Sequence, residues 1–132
     1  MENQNNQNMS DGFTSVGKAK LDSIESNIGE IDNMIEERKE LSNNFVKEGE
    51  KMKGDIKAFL IENAPEGDGD SEFARERAEL RKKQIEISEL QLNEKVNCWR
   101  DIALLKKETR ENLLELNERK SRADMLDKIL TE

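Results

Sequence analysis

Leu21, Ile24, Ile28, Ile31 and Ile35 follow one another at intervals of 3, 4, 3 and 4 residues. That spacing lays one narrow apolar stripe along an α-helix. The same frame continues through Arg38, Ser42, Phe45, Gly49, Met52, Ile56 and Phe59. A 3.5-residue repeat held over this length predicts a helix paired with another helix in a left-handed supercoil. Arg38, Ser42 and Gly49 interrupt the stripe. Such breaks ordinarily fix register at some cost in stability; alternatively, Gly49 leaves room for a bulky residue of a partner.

The helical pattern covers residues 14–62. Ahead of it, residues 1–13 are rich in Asn and Gln and lack hydrophobic periodicity, which predicts a disordered tail. After it, residues 63–71 hold Pro65, Gly67 and Gly69 among acidic residues, a composition that breaks helices and favours turns. Ser71 or Asp70 is the expected N-cap of a second helix over 72–131, a stretch without Gly or Pro. Nothing reads as a strand.

The second helix carries more than one stripe. Ile85, Leu92, Val96, Trp99 and Ile102 form one. Ile102, Leu105, Leu116, Ala123, Leu126 and Leu130 form another, interrupted by Thr109, Asn112 and Arg119. Leu80, Ile87 and Leu90 lie off the first stripe, roughly on the opposite side. A helix that is apolar on more than one side touches more than one neighbour.

The fold class implied is all-α, a long antiparallel helical hairpin (coiled coil) completed by oligomerisation or by a partner. Folding about Gly67 places residue i opposite roughly residue 134 − i. Ile35 then meets Trp99, Ile28 meets Lys106 and Leu21 meets Leu113. Leu114, Leu116, Ala123, Met125, Leu126, Ile129 and Leu130 are left overhanging, an apolar end that calls for a covering surface. The competing geometry makes 63–71 a flexible joint between two segments that pair in parallel with a second copy. The long-helix hairpin resembles prefoldin-like chaperone subunits in architecture alone. Residues 62–72 are too short and polar for the β-hairpin material of that family, and no functional residue carries over.

Composition narrows the function. The chain of 132 residues is 39% charged and only 33% hydrophobic, with a net charge of −8. That is too little apolar surface for a compact globule but enough for helices with narrow stripes. The acidic balance argues against nucleic acid. The basic cluster Arg75, Arg77, Arg81, Lys82 and Lys83 is interleaved with Glu76 and Glu79 and reads as a solvated face. No apolar run is long enough to span a bilayer. The first residues lack a basic and an apolar region, so no signal peptide is expected. Cytoplasmic residence is the expectation, and the lone Cys98 fits a reducing compartment.

Chemistry is sparse. With no His and no Tyr, Ser-His and Cys-His arrangements and Glu-x-x-His metal sites are out of reach. Cys98 reads as a buried, inert thiol. The glycines at 67 and 69 lack the Lys-Ser/Thr of a phosphate loop. The acidic run from Glu66 to Glu72 lacks a full calcium-loop pattern. Catalytic residues, cofactors and metals are therefore expected to be absent.

Three readings follow. The leading one is a non-enzymatic scaffold or adaptor working through helix–helix contacts, as a homo-oligomer or as a subunit of a complex. Trp99, Ile35, Leu116, Leu126, Ile129 and Leu130 are its interface candidates. Trp99 fits equally a hairpin-core position against Ile35 and the stem of Arg38, or an interface anchor of the kind that dominates binding hot spots. The second reading is a small acidic inhibitor or decoy covering a basic surface of a target protein. The third is a membrane-surface helix at the C-terminal end, where Arg119, Lys120, Arg122 and Lys128 flank Met125, Leu126, Ile129 and Leu130.

Overall fold

The computed structural model describes the backbone of residues 2–63 and 71–131 and the side chains of 17–63 and 73–131. Helix α1 runs Glu2–Glu62 and helix α2 runs Ser71–Thr131. The described residues contain no strand. The expected caps Asp70 and Ser71 and most of the 63–71 turn lie outside the described side chains. α1 starts at Glu2, well ahead of the periodic segment and through the 1–13 stretch read as a tail. Once a helix is nucleated, each added residue gains a hydrogen bond without a new nucleation cost.

The two helices pack against each other. Contacts group the chain into a terminal unit, Met1–Ile35 with Ala103–Glu132, and a central unit, Glu36–Ile102. Within each unit the strands of chain run antiparallel. In the central unit Arg38 bonds to Asp101 while Lys53 bonds to Ser88, so numbers fall on α2 as they rise on α1.

The buried and half-buried positions set the register. On α1 they are Leu21, Ile24, Ile28, Ile31 and Ile35 in the terminal unit. In the central unit they continue as Arg38, Ser42, Val46, Gly49, Lys53, Ile56 and Leu60. On α2 the central unit buries Leu80, Gln84, Ile87, Gln91, Glu94, Cys98 and Ile102. The terminal unit buries Leu105, Thr109, Asn112, Leu116 and Arg119. The two ranks match level for level, with Gly49 against Gln91 as the fixed point, so residue i lies across from roughly residue 140 − i.

This differs from the register expected for a fold about Gly67. Leu21 stands level with Arg119 rather than Leu113, Ile28 with Asn112 rather than Lys106, and Ile35 with Leu105 rather than Trp99. The shift is six residues, nearly two helix turns. It brings Leu116 to the level of Ile24 and buries both, so Leu116 is no part of an overhang.

One heptad column on α1, Leu21–Ile28–Ile35–Ser42–Gly49–Ile56, stays in the seam throughout, while the other moves on by one residue after Arg38. Val46, Lys53 and Leu60 enter the seam where Phe45, Met52 and Phe59 were expected, and those three stay exposed. An α-helix closes at 3.6 residues per turn, so a straight helix drifts about 20° per heptad away from a 3.5 repeat. In the central unit one edge of the seam follows the drift.

Candidate helix-docking interface

What holds the central unit together is largely polar. Arg38 sits in the seam, where its guanidinium pairs with Glu94 and its Nε donates to Asp101 Oδ2 at 2.9 Å. The bonds to Glu94 and then Asp101 push its pKa further up, so it carries its charge at any accessible pH. The Cys98 thiol, buried one level on, has its sulfur 4.0 Å from the Arg38 carbonyl. Gln91 is buried and donates through Nε2 to the Val46 carbonyl at 2.9 Å and to Glu50 Oε1 at 3.3 Å. Lys53 donates to Ser88 Oγ at 3.3 Å and to Glu50 at 2.8 Å, and Gln84 donates to the Lys53 carbonyl at 3.4 Å.

Gly49 explains how Gln91 gets so close. A Cβ built on Gly49 would collide with the Gln91 amide, whose Cδ lies 2.9 Å from that point. The bulky residue for which Gly49 leaves room therefore belongs to the same chain. These polar residues share the α2 face turned to α1 with Leu80, Ile87, Cys98 and Ile102.

Ile85, Leu92 and Trp99 each follow a seam residue, Gln84, Gln91 and Cys98, by one position. One residue is a rotation of about 100° on a helix, so all three point away from α1. Their exposures are 60%, 62% and 71%, with Val96 beside them at 41%. The stripe Ile85–Leu92–Val96–Trp99 is thus exposed rather than buried against α1. Trp99 is accordingly not a core residue against Ile35 and Arg38, because α2 turns its polar Gln91–Glu94–Cys98 side inward instead.

No family model, curated protein or solved structure matches this chain. The surface must speak for itself. An open groove of about 450 Å³ indents it, lined by Arg81, Gln84, Ile85, Ser88, Glu89 and Leu92. Charges of both signs border the stripe: Arg81, Glu89, Lys95 and Arg100.

The remaining interface candidates divide. Ile35 and Leu116, at 8% and 6% exposure, are buried in the seam of the terminal unit. Leu126 and Leu130 are exposed but line a groove of about 620 Å³ together with Gly17 and Leu21 of α1, rimmed by Arg119 and Arg122. Ile129 and Met125 are exposed and do not line that groove. The expected overhang is thus a face alongside α1 rather than a projecting end. Sequence reading also missed the α1 flank of Leu41, Phe45, Met52 and Phe59, all exposed. Its signal in the sequence is the heptad column Phe45–Met52–Phe59, whose spacing points to the seam but whose side chains stand outside it.

Among the described residues, no group of three His, Cys, Asp or Glu side chains is placed to hold a metal ion. No helix there is long and apolar enough to cross a membrane.

Proposed function

We propose that this chain is a non-enzymatic helical scaffold or adaptor, whose working surface is the outward stripe of α2 in the central unit. One observation carries the reading. Ile85, Leu92, Val96 and Trp99 stand in solvent on one helix face while the other face of the same helix is already engaged by α1. Burying one such side chain contributes about 1.5–3 kcal/mol, and apolar side chains gathered on one exposed helix face favour an interaction site there. A helix offering the same periodicity is its natural complement, in the manner of coiled-coil packing. Cytoplasmic residence is part of this proposal. The mixed charges along the stripe favour it over an acidic decoy, which calls for a surface of one sign.

A photoactivatable residue at Leu92 or Val96 tests it in cells that make the protein. The expected result is a discrete protein adduct at both positions, whether with another copy or another protein, and none at Glu40, an exposed position of α1. Equal labelling at Leu92 and Glu40 would remove the stripe as a working surface.

A further inference from the structure

Beyond Ile24 and Leu116 the seam of the terminal unit opens into a groove. We infer that this groove binds a single-chain anionic amphiphile, of the class of a fatty-acid carboxylate, taken up free from solution. The inference goes beyond the reading above and does not involve the α2 stripe. It begins with two small residues. Gly17 is the next stripe position before Leu21, and Ala123 the next after Leu116. The register of roughly 140 − i sets the two level with each other. A Cβ added at Gly17 would meet nothing within 4 Å, whereas the space over Gly49 is filled by Gln91. Ile24 and Leu116 close the seam at their level; Gly17 and Ala123 leave it open as a groove of about 620 Å³.

The lining is sorted by chemistry along its length. Lys18, Lys20, Arg119 and Arg122 border one end, all between the levels of Arg119 and Arg122 on α2. Leu126 and Leu130 carry the apolar wall on for two further turns. Asp127, the carboxylate among the described lining residues, stands at that apolar end. Four cations to one carboxylate runs against a chain whose net charge is −8. Arg119 shares its charge with Glu115 at 3.1 Å, so Lys18, Lys20 and Arg122 supply most of the attraction. An anionic head is drawn to the basic end and repelled from Asp127, which lays the tail along Leu126 and Leu130.

Size decides between occupants. The volume falls within the roughly 300–1,000 Å³ of small-ligand pockets. From Arg119 to Leu130 the groove follows α2 for about 16 Å. A helix 10–12 Å across filling that length needs about two to three times the volume. A partner helix can therefore lie over the groove but not in it, whereas one alkyl chain fits inside. Both helices contribute lining residues, which favours a chain held between them over a flat bilayer surface.

Calorimetric titration of the full chain with dodecanoate, kept below its micelle concentration, is the test. The expected result is one site per chain, dissociating in about the 10–100 μM range. Shortening the acid should weaken binding by about fourfold per methylene. Dodecyltrimethylammonium, with the same tail and the opposite charge, should bind roughly tenfold more weakly or worse. Gly17→Leu should abolish binding while helix content holds or rises, because the new side chain fills open space and leucine favours helix over glycine. Ala123→Leu fills the groove from the other wall and should do the same. Lys20→Glu with Arg122→Glu should cost roughly tenfold. Leu92→Glu, on the α2 stripe, should change nothing.

Binding that survives both filling variants would overturn the inference, because the tail would then lie on another apolar face. Equal binding of the cationic amphiphile would overturn it as well. So would a chain that ignores dodecanoate to about 1 mM yet floats with phosphatidylglycerol vesicles, since the basic end would then serve a membrane surface. None of these outcomes touches the adducts expected at Leu92 and Val96, so the scaffold reading stands or falls separately.

Discussion

The two units of this hairpin solve the same packing problem with opposite chemistry. In the terminal unit, α1 supplies Leu21, Ile24, Ile28, Ile31 and Ile35, and the polar residues facing them look after themselves. Thr109 donates to its own helix at the Leu105 carbonyl, 3.2 Å away, and Asn112 to that of Glu108, 2.8 Å away. Among the described residues of this unit the ion pair across the helices is the exposed one of Lys120 with Glu25 at 3.5 Å. In the central unit the polar residues reach across instead: Arg38 to Glu94 and Asp101, Gln91 to Val46 and Glu50, Lys53 to Ser88. Apolar burial is non-directional and fixes register poorly, whereas a buried hydrogen-bonding group left unmatched costs about 1–3 kcal/mol. The terminal unit thus carries adhesion, and the central unit carries register.

The largest effect should come from the terminal unit. Ile24→Ala removes a buried aliphatic side chain opposite Leu116 and is expected to lower unfolding free energy by about 2–4 kcal/mol. Leu41→Ala, an exposed apolar residue of the central unit, should change it by less than about 0.5 kcal/mol. Urea melts followed by circular dichroism at one fixed protein concentration measure both. Equal losses would mean that exposed and seam positions are energetically alike, and the comparison would collapse.

Next comes the central unit's ion-pair cluster. Arg38→Leu strands Glu94, whose side chain is only 21% exposed, together with the half-exposed Asp101. The expected loss is roughly 1–3 kcal/mol, below that of a fully buried pair because solvent reaches both acids. Adding Glu94→Leu should restore most of it, since an apolar pair replaces an ionic one at little cost. The recovered protein should nevertheless be looser in register. Cysteines at Gly49 and Gln91 would then cross-link less selectively than in a chain that keeps Arg38. Full recovery with unchanged selectivity would deny the cluster its specifying role.

Both helices, the antiparallel pairing and the terminal seam follow from the Leu21–Ile35 heptad and from the Leu105–Leu116 stripe, because there the apolar rank and the buried rank coincide. The central unit defeats that rule. There α2 buries Gln84, Gln91 and Glu94 among Leu80, Ile87, Cys98 and Ile102 and leaves Ile85, Leu92 and Trp99 in solvent, so counting hydrophobic positions does not tell the buried face from the exposed one. The register was illegible for a related reason. It was inferred from the turn composition at Gly67, whereas what marks it is a fit between particular side chains: Gln91 in the space above Gly49, and Arg38 between two acids on α2. Such complementarity shows in no periodicity, since Gly, Gln, Arg and Glu all read as interruptions.

A smaller effect tests that fit. Gln91→Ala deletes the bond to the Val46 carbonyl and empties the space over Gly49, with an expected loss of about 1 kcal/mol. Gly49→Ala alone gains helix propensity, up to about 1 kcal/mol, but drives its new methyl into the Gln91 amide. Together the changes should be better than additive, because the methyl then occupies the vacated space. A double-mutant cycle with a coupling of about 0.5 kcal/mol or more is expected. Strict additivity would mean that the two residues do not share the space the geometry gives them.

The smallest effect is a titration, and its sign follows from Glu50. The hydrogen bond from Lys53, the charge of Lys53 and the bond from Gln91 all favour its carboxylate and hold its pKa below the ordinary value. A carboxyl whose pKa is lowered by folding stabilises the fold above its unfolded value and loses that contribution as pH falls through the folded one. Unfolding measured from neutral pH downward should therefore show an acid-side loss that is shallower in Glu50→Gln. Because Glu50 is open to solvent, salt should shrink the difference. The Arg38 cluster supplies the contrast within the same unit: its guanidinium stays charged throughout, so Arg38 itself adds no step to the acid limb. If Glu50→Gln leaves the pH profile unaltered at low ionic strength, the Glu50–Lys53–Gln91 contacts do not persist in solution. The central register would then rest on Arg38 and on Gln91's bond to the Val46 carbonyl.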